Sequence, residues 1–302
     1  MSSSYRIGVD GGGTKTELIL IDKQGEAVAR HTAPGCNPSI VGPESARKTL
    51  EVALQGLLAS SPSPNASGLP PVSHTLLCMA GSPAFWQETA SSLAGYGIIE
   101  TKTDALPVLE LATSGRHGLA LHAGTGSFVI LRTPDGSVRL VGGLGWRIGD
   151  PGSAQDIGRR SLARALAELQ GWASPSALGT LLQKTFDTAN ACDVTAALHR
   201  DAEPNQRIGA FAARASELAQ EGDAASREII LAATGELLAC AEASAKALFG
   251  IHNVDTLAAG LSGPILTQPF VVAALQARTT LSLTPLAEPP IEGVRRLLLR
   301  MR

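Results

Sequence analysis

The segment from Asp10 to Thr16 combines a carboxylate, three glycines, two threonines and a lysine, which are groups suited to binding phosphate. Consecutive glycines leave backbone N–H groups uncovered, and neighbouring hydroxyls suit phosphate oxygens. A carboxylate at the end of an apolar strand is well placed to hold a magnesium ion, usually through water. We therefore predict a nucleotide-phosphate site with a metal contact from Asp10 and phosphate contacts from Gly11, Gly12, Gly13, Thr14 and Lys15. For Lys15, a solvated surface lysine is the alternative.

Two better-known glycine motifs are excluded by the residues around these glycines. A P-loop needs Gly, four residues and then Gly-Lys-Ser/Thr leading into a helix, but here Thr14 intrudes before Lys15. The following residues, 17–22, instead read as a second strand before a turn at 22–25. The glycine spacing of dinucleotide-binding folds is also absent. The segment is therefore predicted to be a β-hairpin, with an ordinary glycine-rich turn as the alternative.

The first hairpin has a counterpart later in the chain, where Gly124-Thr125 corresponds to Gly13-Thr14 and Gly136 corresponds to Gly25. Two similar hairpins suggest a duplicated domain with a nucleotide clamped between the halves. The second set of phosphate contacts is expected from Gly124, Thr125, Gly126 and Ser127, with a simple turn as the alternative. A later strand from Thr256 runs into a glycine turn suited to adenine or ribose, with contacts expected from Gly260 and Gly263.

The elements that position these segments alternate between strands and helices, which favours α/β layers. An amphipathic helix over 43–58 precedes a Pro/Ser/Gly-rich loop over 60–72. A buried strand, a helix and a short strand ending at Asp104 are then predicted over 75–81, 83–93 and 97–104. The chain is strongly helical from Ser153 onward, and the clearest helical segments are 208–220, 223–249 and 270–277.

Composition limits the function classes. The 302 residues are 44% hydrophobic and 17% charged, which indicates a globular protein with room for two domains. The net charge of -2 and the 4% aromatic content argue against nucleic acid or a membrane as partner. The N-terminal residues lack signal-peptide features, so a cytoplasmic protein is expected. Widely spaced cysteines without a zinc or iron–sulfur pattern are expected to be free and buried; these are Cys36, Cys78, Cys192 and Cys240.

The motifs together resemble the sugar kinase/actin/Hsp70 superfamily, and within it the BadF/BadG/BcrA/BcrD ATPase family, over nearly the whole chain. Segments 10–16 and 124–127 match the two phosphate motifs, and the other matches are Asn37-Pro38, Ala80-Gly81, Asp104-Ala105 and the Gly/Trp-rich segment 142–153. The resemblance implies an α/β, two-lobed actin-like ATPase with duplicated ribonuclease H-like domains and nucleotide and sugar in the interdomain cleft. The lobes are expected over 1–112 and 113–288, with a helix at about 289–302 packing back on the first.

The resemblance also implies a homodimeric kinase that uses ATP and Mg²⁺ to phosphorylate the 6-hydroxyl of N-acetylglucosamine or glucosamine. Asp104 is then the base that accepts the hydroxyl proton, and a helix N-cap is the alternative role. Sugar contacts are expected from Asn37, Trp146, Asp150 and Asp104. The alternatives are that Asn37 supports its own turn, that Trp146 is a core residue, and that Asp150 caps the helix from Ser153.

The chain departs from the family pattern at Pro151, where the family usually has Glu, and at the Gly260–Gly263 turn, where a Gly-Gly pair is commoner. His122 is predicted to be a core histidine, and Trp86, Trp172 and Cys36 are predicted to be packing residues. Two other functions compete with a kinase. One is an ATP-driven activator of 2-hydroxyacyl-CoA dehydratases, whose cysteine context this chain lacks; the other is a non-catalytic sugar sensor, against which the two carboxylates argue.

Overall fold

A computed structural model describes residues 4–61, 71–250 and 257–301. Two compact units are present, Met1–Arg116 with Leu286–Arg302, and His117–Pro285. The predicted 60–72 loop lies largely outside the described residues, as does Thr256, the predicted start of a late strand.

The first unit is built on a five-stranded sheet in the order β3-β2-β1-β4-β5. Its strands are β1 (Tyr5–Gly11), β2 (Lys15–Ile21), β3 (Ala27–Pro34), β4 (Val72–Met79) and β5 (Ile98–Thr103). Its helices are α1 (Pro38–Val41), α2 (Pro43–Ala59), α3 (Pro83–Ser92), α4 (Ala105–Thr113) and α11 (Pro290–Arg300). The first three strands are antiparallel, whereas β1, β4 and β5 run parallel. Parallel strands end at a common edge, and that edge carries the site described below.

Helices cover both faces of this first sheet. On one face, α2 buries the predicted apolar stripe, which includes Leu50, Leu54 and Leu57, against β1, β2 and β4. On the other face, α11 packs Val294 and Leu298 against β1, β2 and β4. Chain segments far apart in sequence therefore complete one layered core.

The second unit has a five-stranded sheet in the order β10-β9-β6-β7-β8. Its strands are β6 (Gly118–Ala123), β7 (Ser127–Arg132), β8 (Val138–Gly142), β9 (Ala258–Ser262) and β10 (Ser282–Pro285). Its helices are α5 (Ala154–Leu169), α6 (Ala177–Phe186), α7 (Ala191–Arg200), α8 (Pro204–Glu221), α9 (Ala224–Phe249) and α10 (Pro269–Gln276). The predicted helical segments correspond to α8, α9 and α10. No helix in the described ranges is both long and apolar enough to cross a bilayer.

The two sheets share one topology, which confirms the duplication predicted from the two hairpins. In each unit the first strand forms an antiparallel hairpin with the second, and the third pairs outside the second. The fourth and fifth strands then add in parallel on the other side of the first. The predicted α/β actin-like architecture is confirmed in this arrangement.

Candidate active site

In the first unit, three parallel strands bring two carboxylates to one sheet edge. The β1–β4 register pairs Asp10 with Cys78, and the β4–β5 register pairs Cys78 with Lys102. Asp10, the next-to-last residue of β1, thus lies level with Lys102 near the end of β5. Asp104 follows the last residue of β5, so both carboxylates lie at the same edge of the sheet. Ligands of open α/β sheets bind at this carboxyl edge.

The Gly-rich segment is a β-hairpin, as predicted. Gly11 pairs with Thr16 across the two strands, and the Gly12 N–H donates to the Lys15 carbonyl over 3.0 Å. The turn following β3 supports the loop, because the Gly35 N–H donates to the Thr14 carbonyl (3.0 Å) and Cys36 N–H to Gly12 (3.2 Å). A Cβ on Gly35 would overlap the Gly13 carbonyl. Sequence reasoning missed Gly35, since only this long-range contact reveals its importance.

Two polar side chains of the hairpin have protein partners. Thr16 is buried, and its hydroxyl donates to the Pro34 carbonyl over 2.9 Å, so this hydroxyl supports the hairpin from inside. Lys15 is 58% exposed and forms an ion pair with Glu17 at 2.7 Å.

Asp10 carries a carboxyl whose pKa is raised to about 8. Burial is the main cause, because it removes water from the charged form, and the negative charges of Asp104 and Glu17 add to it. Lys15 acts in the opposite direction. A cation or a hydrogen-bonded ligand beside Asp10 would favour its ionised form.

Asp104 stands at the N-cap position of α4, yet its side chain makes no capping hydrogen bond. Instead the Thr103 hydroxyl donates to its Oδ1 over 3.2 Å, and the Ala105 N–H donates to Thr103 Oγ1 over 3.3 Å. Burial raises the Asp104 pKa to about 6, against the opposing effect of the Thr103 hydrogen bond and of the nearby Asp104 and Ala105 N–H groups. The side chain therefore makes no capping hydrogen bond to α4, and its role as the base stays a prediction. A carboxyl with a pKa of about 6 can exchange a proton near neutral pH.

Asn37 caps the short helix α1, where its Oδ1 accepts the Ser39 N–H over 3.0 Å. Its turn-supporting role is thus present, while sugar binding stays a prediction. Gly81, at the end of the β4 region with φ of 97°, lies directly against Asn37 and Pro38. The Asn-Pro and Ala-Gly motifs are therefore neighbours in space within the first unit.

In the second unit, hydrogen bonds join the 124–127 hairpin to the segment that follows β8. The Gly124 N–H donates to the Gly126 carbonyl (2.9 Å), and the Gly124 carbonyl accepts the Ala154 N–H (2.8 Å). The buried Ser127 hydroxyl donates to the carbonyl of Pro151 over 2.7 Å. Pro151 thus contributes its backbone oxygen to the support of the hairpin, a role that does not require a glutamate side chain.

Asp150 is buried and adopts a left-handed backbone with φ of 61°, which is uncommon for residues other than glycine. Its Oδ1 accepts the Gly145 N–H over 3.1 Å, and its Oδ2 lies close to Gly126. Burial raises its pKa, while backbone N–H groups of Gly145, Ser127 and Leu144 oppose the shift. The helix-cap alternative for Asp150 is wrong, because Ser153 caps α5.

The remaining predicted residues of this unit lie on the same loop or on β9. Trp146 is 41% exposed, so it is not a core residue, and the Arg147 guanidinium lies over its ring at 5.2 Å. Gly260 is within β9, and Gly263 follows it with φ of 92°. A Cβ on Gly263 would overlap the Ala123 carbonyl, so the β9 turn lies against the start of the 124–127 hairpin.

The tryptophan and cysteine predictions are partly wrong. Trp86 is buried and donates to the Ala80 carbonyl over 2.8 Å, as a packing residue should, but Trp172 is 78% exposed. All four cysteines are free, with Cys36 and Cys78 buried, Cys240 half-buried and Cys192 exposed. The expectation of burial thus fails for Cys192 on α7, and it holds only in part for Cys240 on α9, which packs against the core.

Comparison with known proteins gives consistent matches. N-acetyl-D-glucosamine kinase of Dictyostelium discoideum is 28% identical over 248 residues, which cover 78% of each chain. Glucosamine kinase GspK of Vibrio cholerae is 28% identical over 170 residues, or 56% of each chain.

A solved structure of a candidate N-acetylglucosamine kinase from Chromobacterium violaceum has the same fold. Its TM-score is 0.72 at 23% identity, with 98% of this chain and 99% of that chain covered. The model of the BadF/BadG/BcrA/BcrD ATPase family matches residues 7–263. This protein belongs to the BadF/BadG/BcrA/BcrD ATPase family.

Proposed function

We propose that this protein is a sugar kinase that transfers the γ-phosphoryl group of ATP to the 6-hydroxyl of N-acetylglucosamine or glucosamine. Membership of an ATPase family and the names of the two curated relatives support this proposal. The observation that carries it is the placement of Asp10 and Asp104 at one sheet edge beside the Gly-rich hairpin. Asp10 would then contact the magnesium ion of the nucleotide, and Asp104 would accept the proton of the sugar hydroxyl.

Nucleotide binding in this proposal depends on the two hairpins. The loops 11–14 and 124–127 would present backbone N–H groups to the phosphates, where fixed dipoles stabilise negative charge. The turn from Gly260 to Gly263 would contact the adenosine. Lys15 would contribute its positive charge. Its side chain is exposed and paired only with Glu17 across the surface, so it can move toward a bound phosphate.

Mg²⁺ fits Asp10 through water. Among the described residues, no three His, Cys, Asp or Glu side chains are grouped so that they could hold a metal ion. Mg²⁺ does not need such a group, because it keeps several waters and takes substrate phosphates beside one or two carboxylates. When bound, it would neutralise charge on the phosphates. The raised pKa of Asp10 is consistent with a carboxyl that needs a cation nearby.

Phosphoryl transfer requires little covalent work from the protein, but it requires a positioned acceptor. Asp104 would accept the proton of the sugar hydroxyl as its oxygen bonds to the γ-phosphorus. The bond from that phosphorus to the β–γ bridging oxygen breaks, and ADP leaves with those electrons. Asn37, Trp146 and Asp150 would hold the sugar, with Asp150 offering mainly Oδ2 because Oδ1 accepts the Gly145 N–H.

The test is ADP release from ATP and Mg²⁺ with a panel of N-acetylglucosamine, glucosamine, glucose and N-acetylmannosamine. We expect turnover to rise with an amino sugar, and phosphorus-coupled NMR of the product to place the phosphate on the 6-oxygen. A sugar that binds without turnover would support a sensor instead. Absence of sugar-stimulated ADP release together with sugar-independent ATP hydrolysis would contradict the kinase. Cytoplasmic location and a homodimer belong to the same proposal, and light scattering checks the second.

A further inference from the structure

One row of residues crosses the second sheet immediately before the phosphate hairpin turns. His122 of β6 is in register with Phe128 of β7 on one side and with Ser262 of β9 on the other. Phe128 is in turn paired with Gly142 at the end of β8. The row therefore joins the hairpin, the β9 turn and the start of the loop that leads to Asp150.

The His122 ring is fixed on two sides. Its plane is stacked on Phe128, with centroids 5.0 Å apart and an angle of 16°. Its Nδ1 lies 3.1 Å from the hydroxyl oxygen of Ser262, a distance at which the pair is hydrogen bonded. When the Ser262 hydroxyl donates to Nδ1, the ring proton of the neutral imidazole is on Nε2, which is then a donor.

The free edge of the ring faces Gly124. A Cβ at Gly124 would be 3.0 Å from His122 Nε2, and the three nearest heavy atoms to that position all belong to this imidazole. The missing side chain of Gly124 therefore leaves a space at hydrogen-bond distance from Nε2. This space lies beside the backbone of the predicted phosphate hairpin.

Burial lowers the pKa of His122 to about 4, so the imidazole is neutral at physiological pH. A core histidine, as the sequence predicted, would need only its packing and its Ser262 partner. The geometry shows more, because one ring nitrogen is anchored while the other faces a glycine loop suited to an anion.

We propose that His122 is a nucleotide-binding residue whose Nε2–H donates to a phosphate oxygen of ATP held against Gly124, with Ser262 fixing the donating tautomer. This inference rests on the proposed function of the hairpin as a phosphate site. Because the imidazole is neutral, it would add one directed hydrogen bond to those of the backbone N–H groups, without adding a positive charge. Gly124 is required in this arrangement because any Cβ would occupy the oxygen's position.

The test compares four variants by calorimetric binding of the ATP analogue AMPPNP with Mg²⁺. His122→Phe keeps a stacking ring but loses both nitrogens, and we expect about 10- to 100-fold weaker binding, as for a lost hydrogen bond to a charged acceptor. His122→Gln places an amide near the Nε2 position and should stay close to wild type. His122→Asn places it near Nδ1 and should resemble His122→Phe. Ser262→Ala should weaken binding less, because the ring is retained but its tautomer is no longer fixed.

The matched control is His199→Phe, since His199 is an exposed histidine on α7, and AMPPNP binding should not change. Kinetics add a second readout: KM for ATP should rise in His122→Phe, with KM for the sugar unchanged. His122→Phe with wild-type AMPPNP affinity would overturn the inference, as would equal losses in the Gln and Asn variants. Failure of the wild type to bind AMPPNP would instead remove the proposed function itself, and the inference with it.

Discussion

Two half-buried carboxyls at one sheet edge have pKa values raised by their surroundings, to about 8 for Asp10 and about 6 for Asp104. Burial without a full set of partners is costly for a charged group, so the folded chain is destabilised by each ionised carboxylate. Such groups persist at sites where a ligand or a reaction uses the charge. Asp104 is the better candidate for the base, because a carboxyl with a pKa of about 6 is mainly ionised near pH 7 and can accept a proton, whereas Asp10 is mainly protonated there.

Asp104→Asn should separate catalysis from stability. The amide retains the shape of the carboxyl and an oxygen for the Thr103 hydroxyl, but it cannot accept the proton of a sugar hydroxyl. We expect kcat to fall about 10²- to 10⁴-fold, with AMPPNP binding retained. Steady-state kinetics and calorimetry measure the two quantities. Near-full turnover in this variant would mean that another group is the base.

The same substitution has a pH-dependent effect on stability. The folded-state pKa of Asp104, about 6, lies above the value of about 3.9 in an unfolded chain. The bound proton therefore stabilises the folded state below the unfolded pKa, and this stabilisation is lost as the pH rises through about 6. The amide of Asp104→Asn does not ionise, so this variant does not lose stability over that pH range. Its melting temperature relative to wild type should therefore increase from pH 4 to pH 7.

A carboxylate with the opposite shift provides the control for sign. Hydrogen bonds from Thr133 and Ser137 lower the pKa of exposed Asp135. Asp135→Asn should therefore lose stability relative to wild type as the pH rises from about 3 to 5, and show no gain. Equal pH trends for the two variants in differential scanning calorimetry would contradict the environment assigned to Asp104.

The pH dependence of turnover provides an independent test of the same carboxyl. Because kcat/KM reports the ionisation of the free enzyme, it should fall tenfold per pH unit below about pH 6 as Asp104 becomes protonated. At saturating sugar and ATP, kcat should show a similar decrease on the acid side of its pH profile if the same group is the base. A kcat/KM that stays flat from pH 7 down to pH 5 would contradict an essential base with this pKa.

At the scale of elements, the first hairpin depends on a turn that is remote in sequence. Gly35 has room for no side chain, because its Cβ would overlap the Gly13 carbonyl. Gly35→Ala should therefore displace the loop, with a several-fold increase in KM for ATP and a loss of about 1–3 kcal/mol in the free energy of unfolding. Steady-state kinetics and urea titration measure both.

A glycine in a helix gives the contrasting control for this substitution. Gly235 lies within α9, and its Cβ would meet only the mobile end of Arg278 at 3.2 Å. Gly235→Ala should leave KM unchanged and stabilise the protein by about 0.4–1 kcal/mol through the unfolded state. A Gly35→Ala variant with equal gain would show that the hairpin does not depend on this contact.

The same elements show what the sequence could and could not predict. Hairpin 11–15 and helix α2 were predictable because their signals, glycines between apolar strands and a 3.6-residue apolar period, are local. The close approach of Gly35 was not, since it depends on how β3 returns to the hairpin. Asp150 and Ser153 both suit an N-cap, and only the left-handed backbone of Asp150 and its Gly145 hydrogen bond distinguish their roles.

At the scale of the whole molecule, the first unit is made from two distant chain segments, and its fold needs both. The last helix supplies Ile291, Val294 and Leu298 to a core shared with β2 and β4, and it also packs against β1. Polar contacts reinforce it: Arg6 donates to the Leu298 carbonyl over 2.7 Å, and Arg300 pairs at 2.7 Å with Glu110, a fully buried residue of α4. Because α4 begins directly after Asp104, this helix also supports the element that carries the proposed base.

Leu298→Ala should test whether this last helix stabilises the first unit. The side chain is fully buried, so its truncation should lower the free energy of unfolding by about 2–5 kcal/mol, through lost burial and the cavity left behind. Leu299→Ala is the matched control, because the neighbouring Leu299 is 46% exposed. Its truncation should lower the free energy of unfolding by less than about 1 kcal/mol. Urea denaturation followed by tryptophan fluorescence reports the change, since Trp86 is buried in the first unit. Equal midpoints for the two variants would show that α11 is not part of that cooperative core.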